Sequence, residues 1–240
     1  MRQVVSSTVI AAATGSQTIE GLATANPFDL SVLETVKNEL NIADGNTTQD
    51  TWISRAIQRG SAAIATYCAR VFPVQTYQDI IWLQSDSYPY QVPGTVAPLQ
   101  LSQWPLVIVG TNPSPVLSCI VTEGVNVTQS LVDGTDFISD WQYGQLVRLN
   151  QYTNFPTNWD GAPTAVQFSA GFPIVPADLE QALLLWIAGA YQSRSRDPLL
   201  RAEEQPGLGR REYWIPNAPE SHFPPNIAEL LDKYRSPVVN

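Results

Sequence analysis

Few residues in this chain have the types and spacing that chemistry needs. His222 is the single histidine, set between Ser221 and Phe223 in a proline-rich stretch. A Ser-His-Asp triad or a histidine-based metal site would have to be built around it alone, and an incidental loop residue is the simpler reading. Asp133, Asp136 and Asp140 lie close together, as calcium ligands do. They lack the alternate-residue oxygen spacing and the terminal bidentate glutamate of such a loop, so they read as turn formers, with Asp133-Gly134-Thr135 as one turn. Gly207-Leu208-Gly209 is a lone GxG with no strand before it and no helix after it, and the dinucleotide fingerprint is not completed. Cys68 and Cys119 are the only cysteines. A disulfide is one reading of them; a pair of separate thiols is the other, with Cys68 a small buried hydrophobe on a predicted helix. No acid/base pair stands at a meaningful spacing. The expectation is a chain that is not an enzyme, with no catalytic residue, no metal and no cofactor.

Composition narrows the partners. The 240 residues carry 13 Lys and Arg against 22 Asp and Glu, a formal net charge of −9. A sequence-independent grip on nucleic acid needs clustered cations, which bulk charge does not supply here. The one basic group is Arg194, Arg196, Arg201, Arg210 and Arg211, and Glu203, Glu204 and Glu212 interleave with it. Pairing with an acidic partner protein fits that pattern better than DNA does. Nineteen prolines and seven tryptophans point to stiff connections and to partner surfaces. The stretch MRQVVSSTVIAAATG has the outline of a signal peptide, but Ser6, Ser7 and Thr8 interrupt its apolar run. No run approaches the ~20 apolar residues of a membrane span, and no membrane partner is expected.

The elements that would position these residues are legible from periodicity. Residues 1–28 read as an N-terminal arm, disordered alone and ordered, if at all, against a neighbour. Asp29 or Ser31 caps a short helix bearing Leu30, Leu33, Val36, Lys37 and Leu40, and a second helix is predicted from about Gln49 to Arg70; together they make a helical pair over 29–72. The small residues Ala56, Gly60 and Ala63 on the second helix would let another helix come close, with Gly189 as the matching position. From 73 to 170 apolar residues recur at period two between Pro, Gly, Asn and Asp. Predicted strands are 76–83, 99–101, 106–109, 117–122, 136–139, 145–149 and 165–169, with a hairpin turn at 142–144 and stiff loops at 88–98 and 111–115. A central helix lies within 171–198, with Pro176 in its first turn and Asp178 and Glu180 near its positive end. Leu179, Leu183, Trp186, Ile187 and Ala190 form its stripe, and Leu184 and Leu185 widen it enough to suggest an enclosed helix. Val166, Phe168, Leu179, Leu183 and Trp186 are the predicted core. Residues 199–240 read as an extended C-terminal arm ending in a short helix that starts at Pro225. The fold class expected is α+β: a small helical bundle with a mostly antiparallel sheet or sandwich inserted between its second and third helices.

Four stretches, in order, resemble the head-tail connector (adaptor, or head-completion) proteins of tailed bacteriophages. Tyr67, Cys68, Arg70 and Phe72 match that family's Y-C-x-R-x-F helix end. Phe137, Asp140, Gly144, Leu146 and Arg148 match its hairpin. Val166, Phe168, Ala170, Gly171, Phe172, Val175, Pro176, Asp178, Leu179, Ala182, Tyr191 and Arg194 match the strand and helix between them and the end. Leu230, Leu231, Tyr234 and Arg235 match its terminal LL-x-x-Y-R. The resemblance covers most of the chain from about Asp29 onward.

The resemblance implies a structural virion protein of the neck, made in the host cytoplasm. It implies a ring of about twelve copies around a channel that DNA traverses without specific binding. It also implies two partners, the portal protein and a neck, stopper or tail protein, with the C-terminal region turned to the portal. The portal or ring contacts expected on this basis are Arg210, Arg211, Tyr213, Trp214, Ile215, Phe223, Leu231, Tyr234 and Arg235. A terminator or stopper-type ring protein is the near alternative. A carbohydrate-binding β module, its exposed tryptophans stacked on sugars, or a soluble enzyme is the alternative of another class.

Overall fold

A computed structural model describes residues 2–12, 18–19, 22–23, 26–84, 97–122, 127–159, 162–194, 202–205, 209–212 and 223–235. Among them the chain runs β1 (Arg2–Ala11), β2 (Thr18–Ile19), β3 (Leu22–Ala23), α1 (Leu33–Glu39), α2 (Asp50–Cys68), β4 (Gln75–Gln84), β5 (Leu99–Gln100) and β6 (Val116–Thr122). It continues with β7 (Thr128–Leu131), β8 (Phe137–Asp140), β9 (Gln145–Arg148), β10 (Thr164–Ala170), α3 (Ala177–Gln192), β11 (Ala202–Gln205), β12 (Gly209–Glu212) and α4 (Pro225–Asp232). The class is mixed α+β, and the sheets are antiparallel. Two compact units emerge, one of Met1–Thr14, Pro73–Pro173 and Val239–Asn240, the other of Gly15–Phe72 and Ile174–Val238.

The first unit stacks two sheets on one core, a five-stranded sheet in the order β1-β4-β10-β6-β7 and a three-stranded sheet in the order β5-β9-β8. Period-two alternation sorts the side chains. Val166 and Phe168 of β10 are fully buried, and with Tyr77, Ile81, Cys119 and Val121 they meet Leu99, Phe137, Leu146 and Trp159 from the other layer. The Tyr77 and Phe168 rings stack with centroids 5.7 Å apart. Asp79 is the one charge buried on this inner side of β4. It accepts hydrogen bonds from the Ser102 N–H (2.7 Å) and hydroxyl (2.8 Å), while burial pushes its carboxyl above the usual range.

Here the structure departs from two expectations. Arg2–Ala11, read as an arm disordered alone, is a ten-residue strand that pairs antiparallel with β4. Its Val and Thr residues have high strand propensity, and it matches the open edge of β4. The expected strand over Leu106 to Val109 does not form; Leu106 makes a single bridge to Ala170, and Ile108 and Val109 are exposed.

In the second unit α2, α3 and α4 pack around Ile53, Ile57, Ile64, Leu179, Leu183, Ile187, Ile227 and Leu231, all buried. Gly60 is what brings α2 onto α3, because a Cβ there would lie 2.3 Å from Leu183 Cδ1 and 3.0 Å from Trp186 Cε3. Gly189 is not its counterpart, since nothing approaches within 4 Å of a Cβ built there. Neither Asp29 nor Ser31 caps α1. Val32 occupies the cap without a side-chain bond. Asp29 instead accepts the Asn26 N–H at 3.1 Å, its carboxyl pushed up to about 6 by burial. The Ser31 hydroxyl donates to Glu180 at 2.8 Å. Lys37 is buried and ion-paired with Asp50 at 2.6 Å rather than lying in an apolar stripe.

α3 is not enclosed. Gln181, Leu185 and Gly189 are exposed, and Trp186 is only half buried. Trp186→Ala is therefore expected to cost about 2 kcal/mol, below the ~3–5 kcal/mol of a fully buried tryptophan. The melting midpoint of the variant checks this.

Candidate functional site

The motif residues of the resemblance come together as internal clamps. At the end of α2, the Tyr67 hydroxyl donates to Asp232 Oδ1 (2.8 Å), and Arg70 donates to the Tyr234 carbonyl (3.3 Å). The Arg70 guanidinium lies over the Phe72 ring at 5.9 Å, Phe72 meets Tyr234 edge-on at 6.3 Å, and the Arg235 guanidinium lies 5.1 Å from the Tyr67 ring. Asp178, in the first turn of α3, pairs with Lys233 and accepts a long hydrogen bond from the Tyr234 hydroxyl. Three of the four stretches thus tie α2, α3 and α4 into one cluster.

At the other end of α3, Arg194 packs its guanidinium 4.6 Å from the Trp52 ring and 5.6 Å from that of Tyr191, and donates to Gln49 at 2.6 Å. In the hairpin, Phe137 and Leu146 are core, Asp140 Oδ1 accepts the Gln142 and Tyr143 N–H groups, and Gly144 turns the chain at φ +64°. Arg148 sits over Trp159 at 5.6 Å.

Of the expected portal or ring contacts, Phe223 and Leu231 are buried, 2% and 0% exposed. Tyr234 is half buried in the clamp, and Arg235 is exposed. Tyr213, Trp214 and Ile215 lie outside the described residues. Arg210 and Arg211 belong to β12, whose register with β11 sets Glu204 opposite Arg210 and Glu203 opposite Arg211. A short hairpin thus forms where an extended arm was expected.

The residues that could have carried chemistry are otherwise engaged. Asp133 Oδ2 accepts from Ser114 Oγ (2.6 Å) and Ser139 Oγ (2.7 Å). Asp136 accepts from the Val132 N–H and from Gln151, and the backbone bond holds its carboxyl below the usual range. Among the described residues no three His, Cys, Asp or Glu side chains are grouped to hold a metal. Cys68 and Cys119 are both free and buried, which pushes their thiols up to about 11 and about 12. At neutral pH neither is a thiolate. His222 and residues 206–208 are outside the described residues, as is most of the loop expected at 88–98. In the 111–115 loop, Thr111, Asn112 and Pro113 are exposed and Pro115 is buried. No described helix is long and apolar enough to cross a membrane.

What sequence reading missed is surface. The outward positions of the five-stranded sheet run in uncharged rows, Ser6–Ile80–Ala165–Ile120–Ser130 and Thr8–Gln78–Gln167–Ser118. Within all five strands the only charged residues are Arg2 and the buried Asp79. On the three-stranded layer, Ile138, Trp141 and Tyr143 are exposed around the β8–β9 hairpin. Next to it the 150–155 loop presents Tyr152 and Phe155, 96% and 71% exposed. That loop is braced: Asn150 Oδ1 accepts the Tyr152 N–H (2.9 Å) and the Thr153 N–H (3.2 Å), and the Asn150 N–H donates to the Phe155 carbonyl (2.9 Å). The exposed tryptophans Trp82 and Trp141 belong to different sheets, so they do not form one sugar-stacking platform. The signal for these surfaces was present in the sequence as the absence of charge from strand after strand.

No family model matches the chain, and no curated protein matches it. Among solved structures, similarity is found to a chain of the "Virion of native gene transfer agent (GTA) particle", at 15% identity and a TM-score of 0.47 over 89% of this chain and 93% of that one. A chain of the "Neck of native GTA particle computed with C12 symmetry" shows 15% identity and a TM-score of 0.45 over 93% of this chain and 96% of that one. A chain of the "Neck of empty GTA particle computed with C6 symmetry" shows 16% identity and a TM-score of 0.44 over 89% of this chain and 93% of that one. Likenesses this distant establish neither family nor role.

Proposed function

We propose that this chain is a structural virion protein, the head-tail connector (adaptor) subunit of a tailed phage or phage-like particle. About twelve copies form a ring between the portal and the next neck or tail protein. The observation that carries the reading is the in-order run of four connector-like motifs. Their residues are spent on holding the subunit together: Arg70, Phe72, Asp178 and Tyr234 meet across three helices. The net charge of −9 suits a wall that DNA passes, because an acidic surface repels phosphate where a basic one would hold it. The portal-facing element is the C-terminal stretch carrying Arg210, Arg211, Tyr213, Trp214, Ile215 and Arg235.

The reading is tested by removing this chain from a particle-producing host and restoring it in trans. DNA-filled heads without tails, rescued by the wild-type chain, are expected. Normal yields of tailed particles in its absence would refute the proposal.

A further inference from the structure

We infer that Asp44 is a site of covalent self-modification, converting to isoaspartate in the turn between α1 and α2, while the fold holds the identical pair Asp133-Gly134 unreactive. The reactivity belongs to the turn itself and does not depend on the neck reading. Asp-Gly pairs stand at 44–45, 133–134 and 160–161, the last outside the described residues. An aspartate followed by glycine is open to attack on its own carboxyl, because no Cβ shields the next backbone nitrogen and the glycine backbone turns freely.

In the first step the Gly45 nitrogen adds to Asp44 Cγ. The N–Cγ bond forms, the Cγ–OH bond of the protonated carboxyl breaks, and the hydroxyl leaves as water with the amide proton. The product is a cyclic imide, a succinimide, which water reopens. Cleavage of the new N–Cγ bond restores aspartate. Cleavage of the original bond between that nitrogen and the Asp44 main-chain carbonyl carbon leaves the chain running through Cγ, which is isoaspartate. Solvent water is the only co-reactant, nothing is oxidised or reduced, and mass and charge are unchanged.

The two described pairs differ in what holds the reacting groups. At 44–45 the turn is closed by the Asn46 N–H donating to the Ala43 carbonyl (2.8 Å), which leaves the Gly45 N–H outside the turn's own bond. Asp44 and Gly45 are exposed. Among the described residues neither the Asp44 carboxyl nor the Gly45 N–H has a hydrogen-bond partner, and nothing lies within 4 Å of a Cβ built at Gly45. The carboxyl is free to rotate onto the nitrogen. At 133–134 both groups are tied. Asp133 Oδ2 accepts from Ser114 Oγ (2.6 Å) and Ser139 Oγ (2.7 Å), and the Gly134 N–H donates to the Phe137 carbonyl (2.8 Å). Ring closure there has to break those bonds before it forms its own.

The change at Asp44 reaches a buried ion pair. Lys37 pairs with Asp50 at 2.6 Å and also donates to the Asp44 main-chain carbonyl at 3.4 Å. In isoaspartate that carbonyl becomes a free carboxylate, so Lys37 acquires a second anion.

The test is peptide mapping, by chromatography and electron-transfer fragmentation, of the full chain stored warm in mildly acidic buffer, where the carboxyl carries the proton that its oxygen needs to leave. The expected result is a peptide of unchanged mass and shifted retention, with fragments that mark isoaspartate at 44, and no such product at 133. The same chain stored in guanidinium chloride is expected to convert at both positions, because unfolding releases Asp133 and Gly134. Asp44→Glu is expected to lose the product, since a larger ring closes poorly. Gly45→Ala is expected to slow it, because the added Cβ shields the nitrogen. Both variants should keep the wild-type melting midpoint: the Asp44 carboxyl holds nothing, and Gly45 has open space and no positive φ. A folded chain that converts as fast at Asp133 as at Asp44 would overturn the inference. So would an Asp44 that stays intact while the unfolded chain converts it, or a Gly45→Ala variant that reacts at the wild-type rate.

Discussion

Gly171→Ala is expected to be among the most damaging single substitutions in the chain, destabilising the β unit by about 3 kcal/mol or more. Gly171 closes β10 at φ +135°, a region that side-chain-bearing residues rarely enter. A Cβ there would lie 2.6 Å from the Pro73 carbonyl oxygen and 2.7 Å from Val74 Cα, both backbone atoms with no rotamer to yield. The Gly171 N–H also donates to the Pro105 carbonyl at 3.0 Å, so the chain cannot swing away without losing that bond. Gly189→Ala is the control. It lies in α3 with open space around it, and alanine there is expected to stabilise by up to about 1 kcal/mol. Chemical denaturation of the two variants should move their midpoints in opposite directions. Equal midpoints would show that the close approach at Pro73 is not rigid.

Removing residues 223–240 is expected to unfold the helical unit rather than merely free it from a partner. The cut takes Phe223, Ile227 and Leu231, each at most 2% exposed, and large buried side chains are worth about 2–5 kcal/mol apiece. It also strips Tyr234 from Phe72 and Arg70, and Asp232 from Tyr67. That sum, about 6–15 kcal/mol, is comparable to the whole stability of a typical domain, about 5–15 kcal/mol. An arm dispensable to the fold would leave a folded chain after deletion of 207–240; the buried side chains predict a poorly folded one. Far-UV circular dichroism and a melting curve decide between them. The portal-facing role is isolated instead by Tyr213→Ala, Trp214→Ala and Ile215→Ala together, which leave the clamp untouched. That variant should fold with the wild-type midpoint and fail to join portal-bearing heads.

Legibility in the sequence followed burial. β10 could be read because Val166 and Phe168 alternate with Gln167 and Ser169 over a core that needs them, and α2 because Ile53, Ile57 and Ile64 recur at helical spacing. β1 could not. Val5 packs against the core, but Ser6, Ser7 and Thr8 follow it on an edge strand, so the propensity of β1 had no apolar alternation to confirm it. The β11–β12 hairpin was hidden for a different reason: its strands, Ala202–Gln205 and Gly209–Glu212, are four residues each and nearly all polar, so they carry no apolar alternation. Leu106 to Val109 failed the other way, because an apolar run with no strand opposite it makes a bridge and then exposes Ile108 and Val109. The terminal motif around Leu231 was legible as a helix. Only the structure places its stripe against the core of its own subunit.

The central claim, a ring-forming neck subunit, is tested most directly by native mass spectrometry of necks released from particles built with a tagged copy of this chain. A portal-bound complex whose mass contains a closed ring of about twelve copies is the expected result. Particles from which the tagged chain is missing, or a chain recovered only as a monomer without portal, would contradict it.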